Sequence, residues 1–124
     1  MANSRVVRGR QTQRLLAAWF NRHGWPTATA VEAFLPGADV VGMPGWAIEV
    51  KATSRGDLLA ALRQAANNAH ECQTPAVVWR PNGYGEARQG EWVVAMTLQD
   101  FTTIAQQLRE SNNEQRPNRC RRHP

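Results

Sequence analysis

PGADVVGMPGWAIEVKA, from Pro36 to Ala52, is two short apolar runs separated by turn residues. The second run, WAIEVKA (Trp46 to Ala52), reads as a strand with Ala47, Ile48 and Val50 as its apolar and β-branched members. Side chains alternate along a strand, so Glu49 and Lys51 share one face while Ile48 and Val50 take the other. The first run, Ala38 to Val41, holds Asp39, ten residues before Glu49, and Gly42-Met43-Pro44-Gly45 between the runs is turn chemistry. A hairpin folded about Pro44 sets position 39 opposite position 49, and facing residues of such a pair have Cβ atoms roughly 4.5 to 5.5 Å apart. Two carboxylates and an ammonium then meet on one patch. A register shift of one residue would carry Asp39 to the other face.

Lys51 is the chain's single lysine, set against fourteen arginines. Arginine is a planar fork that stays protonated, whereas lysine is a compact point charge whose pKa responds to burial, so keeping one lysine here points to chemistry. Two carboxylates this close repel each other, and burial worsens their joint ionisation unless a cation stands between them. Mg²⁺, or Mn²⁺ in its place, suits that role, because Mg²⁺ is commonly held by one or two carboxylates together with phosphate oxygens and water. Such an ion activates a bound water and polarises a phosphoryl oxygen, while the Lys51 ammonium positions the water or stabilises developing charge. The same string also fits an ordinary cross-strand salt-bridge cluster of Asp39, Glu49 and Lys51.

PGAD (Pro36 to Asp39) followed ten residues on by EVK (Glu49 to Lys51) resembles the PD-(D/E)XK nuclease superfamily, and within it the small archaeal-type Holliday-junction resolvases and their phage-encoded relatives. The likeness runs from about Arg8 to about Leu108. It includes an opening helix that follows a basic residue and a glycine, Arg8-Gly9, and ends near a glycine and an aromatic, Gly24-Trp25. The resemblance implies an α/β restriction-endonuclease-like core, a mixed β-sheet flanked by helices in the order αβββαββα. It also implies that Asp39, Glu49 and the carbonyl of Val50 bind the metal, that Lys51 aids catalysis, and that Gln64 in LRQAANNA (Leu62 to Ala69) completes the site. The chain departs from the pattern at Gln13, where many archaeal-type members carry a metal-binding glutamate on the first helix. A neutral amide brings no charge, so a three-carboxylate site is not expected. Glu32 either supplies the missing charge from a neighbouring strand or lies on the solvated face of an alternating strand.

The activity implied is metal-dependent endonucleolytic hydrolysis of DNA, in branched substrates such as four-way junctions, by a homodimer, since a junction presents two symmetric strands. The sequence shows no dimer face. A nicking, restriction-like or repair nuclease fits the same motif, and a DNA-binding or scaffold protein on a degenerate nuclease fold is the competing class, favoured by Gln13. Retention of Asp39, Glu49 and Lys51 together favours the enzyme. The implied setting is the cytoplasm of a bacterium or of a phage-infected host cell.

The chain has 124 residues and a net charge of +5, enough for one domain with a single core. The charge is uneven. Residues 1–14 carry +4, residues 111–124 carry +3, and the middle carries −2. Basic ends on a near-neutral body suggest phosphate-binding arms whose contacts are independent of sequence and weakened by salt. This divides the chain into a basic arm over 1–9, a nuclease domain over 10–110 and a disordered basic tail over 111–124. Arg8, Arg10, Arg14 and Arg55 are the candidate DNA contacts. No CxxC, HExxH or GxxxxGK[ST] string occurs, which argues against zinc and against a nucleotide cofactor. Cys72, in a helical pattern, and Cys120, in the polar tail, argue against a disulfide framework. No apolar run approaches bilayer-spanning length.

The rest of the chain follows from periodicity. A helix is predicted over Gln11 to His23, and strands near 28–35, 38–42 and 46–52. A second helix, capped by Ser54 or Asp57, is predicted to run to Gln73, with Leu58, Leu62, Ala65, Ala69 and Cys72 on one face. Then come a strand over Ala76 to Arg80, a turn at Pro81 to Gly85, a strand over Trp92 to Met96 and a helix over Leu98 to Glu110. Trp19, Trp46, Trp79 and Trp92 sit among apolar neighbours and read as core rather than as base-stacking platforms.

Overall fold

The turn at Gly42 to Gly45 folds as its residues dictate. In the computed structural model, which describes residues 4–32, 35–52 and 57–114, Gly42 has φ +84° and a Cβ there would run into the Thr27 carbonyl. Only glycine serves at that point. The Trp46 N–H donates to the Met43 carbonyl at 3.2 Å to close the turn. On either side run β2 (Val40–Val41) and β3 (Trp46–Lys51), antiparallel with Val40 opposite Ile48. That register places Asp39 opposite Glu49, as the Pro44-centred hairpin requires.

The remaining elements are α1 (Ser4–Arg22), β1 (Thr29–Ala30), α2 (Leu58–Asn68), β4 (Thr74–Trp79), a 3₁₀ turn (Glu86–Glu91), β5 (Val93–Ala95) and α3 (Leu98–Glu114). The chain is therefore α/β, and its five strands form one mixed sheet in the order β1-β2-β3-β4-β5. Only the β3–β4 pair is parallel, and α2 makes the crossover that a parallel pair needs. Because β3 alternates, its two faces pack differently. Ile48 and Val50 join Val78, Val40 and Trp92 in a core closed by Leu16 and Ala17 of α1. Ala47 and Glu49 face the other side with Val77, where α2 packs through the buried Ala61 and Ala65. Two alanines let the helix lie close to the sheet. α2 starts at Asp57, whose carboxylate accepts from the Ala60 N–H at 3.0 Å.

Several boundaries differ from the sequence reading. α1 begins at Ser4 rather than Gln11, so residues 4–9 of the expected arm are helical. The glycine at position 9 costs a helix roughly 1 kcal/mol, but Arg8 is anchored to the Ala52 carbonyl at 2.9 Å, and this contact holds the first turns in place. β1 shrinks from 28–35 to two residues, because Leu35 bonds back to Glu32 and ends the extended run. α2 stops at Asn68 rather than Gln73. A tight turn, Gln73 N–H to His70 carbonyl at 3.0 Å with Cys72 at φ 72°, delivers the chain into β4. Cys72 therefore lies in this turn rather than on the face of α2, and it is disulfide-bonded, which corrects the expectation that the two cysteines argue against a disulfide. α3 continues to Glu114, so residues 111–114 of the expected disordered tail are helical. Arg55, residues 1–3 and residues 115–124 lie outside the described residues. Among the described residues, no helix is long and apolar enough to cross a membrane.

Candidate active site

β2 and β3 part company just beyond the hairpin. Gly37, at φ +108°, turns the chain into Asp39, and the last backbone bond between the strands runs from the Asp39 N–H to the Ile48 carbonyl at 2.9 Å. Past this point no strand among the described residues pairs with β3 on that side, and side chains take its backbone groups instead. Asp39 Oδ2 accepts from the Val50 N–H at 2.8 Å, and Arg8 Nε donates to the Ala52 carbonyl. N–H and C=O of one strand residue point the same way. The Val50 carbonyl therefore faces the Asp39 side, beyond the end of the β2–β3 ladder.

Glu49 stands in the middle of β3 with 2% of its surface exposed. Its Oε1 is buried without a hydrogen-bond partner, and its Oε2 lies 3.5 Å from the Lys51 Nζ. Lys51 keeps 37% of its side chain exposed, so the ammonium bridges the buried carboxylate and the surface. Burial pushes the Glu49 carboxyl up to about 7, the facing Asp39 carboxylate adds to the rise, and Lys51 opposes it. Asp39 is raised as well. Burial is the main cause there, set against the Val50 N–H and the Lys51 charge, which favour the ionised form. The two carboxyls are close enough to influence each other's ionisation. An orphaned buried oxygen beside a second carboxylate and a free-edge carbonyl is an oxygen donor set that fits a hard divalent cation.

Among the described residues, the groups that interact with the Asp39 and Glu49 carboxyls are Val50, Lys51 and each other, and none of the remaining sequence-derived candidates. Gln64 is exposed on α2. Gln13 is half-buried on α1, the helix that covers the opposite face of β3. Glu32 is exposed, and the Val31 N–H to Asp39 carbonyl bond at 2.9 Å puts Val31, not Glu32, directly beside Asp39. Among the described residues no group of three or more His, Cys, Asp or Glu gathers. Arg10 and Arg14 are exposed on α1. Arg8, by contrast, is half-buried and spends Nε on Ala52 and Nη2 on the Pro81 carbonyl at 3.5 Å, tying the ends of β3 and β4 together.

Arg80 escaped the sequence reading. It is 8% exposed, its N–H donates to the Lys51 carbonyl at 2.8 Å, and its guanidinium reaches Tyr84 carbonyl, Thr12 Oγ1 and the Trp92 ring. Burial and the neighbouring Arg8 lower its pKa. It braces the strand end that presents Lys51. The signal was a lone charge closing the apolar run TPAVVWR (Thr74 to Arg80).

Comparison with known protein families, with curated proteins and with solved structures gives no match for this chain.

Proposed function

We propose that the chain is a metal-dependent DNA endonuclease with a restriction-endonuclease-like core. The observation that carries this reading is the meeting of Asp39, Glu49 and Lys51 across the hairpin, with Glu49 Oε1 buried and unpartnered. Asp39, Glu49 and the Val50 carbonyl would hold Mg²⁺ or Mn²⁺. A bound ion offsets the carboxylate charges, acidifies a water and polarises a phosphoryl oxygen. The protein's own groups do the rest. The Val50 N–H fixes the Asp39 carboxylate through Oδ2, so Oδ1 is presented in one orientation. Lys51 offers its ammonium where a phosphodiester approaches from solvent, and stabilises charge on the phosphate as the water oxygen bonds to phosphorus and the ester P–O bond breaks. Arg8 and Arg80 place two further positive charges at the same end of β3 and β4.

The substrate proposed is branched DNA, cut in the manner of Holliday-junction resolvases. Labelled four-way junction, linear duplex and single strand, each incubated with Mg²⁺ or with EDTA, test this. We expect junction cleavage with Mg²⁺ only, abolished in both Asp39→Asn and Glu49→Gln with the fold retained by circular dichroism. Metal-dependent cutting of linear duplex alone would move the reading to a nicking, restriction-like or repair nuclease. Binding without cleavage under every condition would leave a DNA-binding protein on a degenerate nuclease fold, the class that Gln13 favours.

A further inference from the structure

α3 is amphipathic the wrong way round. Its half-buried stripe is polar, made of Asp100, Thr103, Gln107, Glu110 and Ser111 together with Ile104. Its exposed stripe is apolar: Leu98 is 79% exposed, Phe101 57% and Leu108 61%, with Ala105 exposed between them. A surface helix of a monomer turns its apolar stripe inward. The spacing 98, 101, 105, 108 alternates three and four residues, the a/d pattern by which one helix packs on another. β5, the edge strand leading into α3, exposes Val93 and Val94 as well. Exposed apolar surface of this extent marks an interaction site.

We infer that this face of α3 is a two-fold interface with a second copy of the same chain, the two helices packing antiparallel. The stripe complements itself in that arrangement. A two-fold axis midway between Phe101 and Ala105 sets Leu98 against Leu108 and Phe101 against Ala105, so each layer pairs side chains that fill it without crowding. Parallel packing would stack Phe101 on Phe101 and leave Ala105 facing Ala105, one layer overfilled and the next empty. Other occupants fit worse. The residues after α3, QRPNRCRRHP, include no large apolar side chain to lie on the stripe. α3 itself carries Asp100, Glu110 and Glu114 against Arg109, a balance that suits neither phosphate nor an anionic lipid surface. The inference stands without the nuclease reading, because it uses no residue of the carboxylate site.

Sedimentation of the full chain between about 1 and 100 μM tests it. The wild type should sediment as a dimer, and Leu98→Glu with Leu108→Glu as a monomer, self-association weakening about 100-fold or more because each anchor is fully desolvated when paired. Far-UV circular dichroism should not change, since both side chains are exposed in the single chain, and Leu98→Glu alone serves if the double variant misfolds. Ala105→Phe should weaken the dimer, and adding Phe101→Ala should restore it. A wild type that stays monomeric at 100 μM, or a charged variant that still dimerises, overturns the interface. Tightening by Ala105→Phe alone overturns the antiparallel register.

Discussion

Lys51 brings the chain's one ammonium to 3.5 Å from a carboxylate whose other oxygen is buried without a partner. If that ammonium acts on a phosphate, its shape matters as well as its charge. Lys51→Arg should then cleave about 100-fold more slowly or worse, nearly as poorly as Lys51→Ala, because the broader guanidinium cannot occupy the same place. Metal affinity by calorimetry should persist in both variants. A surface ion pair predicts the opposite: it is worth about 0 to 1 kcal/mol and tolerates arginine. Glu49 makes a second prediction through its proton. In the folded, metal-free chain its carboxyl stays protonated up to about pH 7, against an ordinary value of 4.5. Between those values the folded state binds more protons than the unfolded one, so stability falls as pH rises through this window. Thermal melts should therefore show a lower midpoint at pH 8 than at pH 5.5. Glu49→Gln should flatten that fall, and Mg²⁺ should raise the midpoint by several degrees at pH 8 and far less at pH 5.5, as a stabilisation of about 1 kcal/mol does in a domain of this size. Melts of wild type and Glu49→Gln that run parallel from pH 5.5 to 8 would refute the shifted carboxyl.

At the scale of elements, the hairpin was legible because every signal there is local. Gly42, Pro44 and Gly45 specify a tight turn, alternation specifies the faces, and a turn centred on Pro44 then specifies which residues face each other. The cap of α2 was legible as one of two residues, Ser54 or Asp57, and it is Asp57, three positions before the N–H from which it accepts. The departures come from contacts distant in sequence. α1 gains its first turns through Arg8, which reaches 44 residues along the chain to Ala52. α2 loses its expected last turn because the chain must enter β4 at Thr74, where the N–H donates to the Gly45 carbonyl at 2.7 Å, and Pro75 favours an extended residue before it. Arg80 is the clearest case. Nothing near it in sequence is acidic, yet it is buried, held by neutral acceptors on α1 and the following turn and by an aromatic ring. A guanidinium held by a backbone carbonyl, a hydroxyl, a side-chain amide and a π-face leaves no pattern of opposite charges to read. Gln64, to which the resemblance pointed, is exposed on α2.

For the whole molecule, charge decides how DNA would be held. Residues 15–110 are net −2, so a phosphate backbone is not drawn to the body as such, and the attraction must come from the basic ends. At one end, Arg10 and Arg14 are exposed on α1, and Arg8 donates to the Ala52 carbonyl just beyond β3. At the other, Arg116, Arg119, Arg121 and Arg122 follow α3 in sequence. If these four neutralise phosphates, they release counterions, and each contact contributes about −0.9 to the slope of log affinity against log salt on duplex DNA. Replacing all four by glutamine should weaken binding of junction and duplex alike and flatten the slope by about 0.9 per lost contact. The measurement uses the Asp39→Asn background, so that cleavage does not consume the DNA, with affinity followed from 50 to 200 mM salt. Single-turnover cleavage at saturating protein, measured with Asp39 intact, should not change, because the four arginines would bind substrate without touching the reacting phosphate. An unchanged slope would make the tail a solubilising terminus and leave binding to α1 and the site itself. A lost cleavage rate at saturation would place the tail in the catalytic complex rather than beside it.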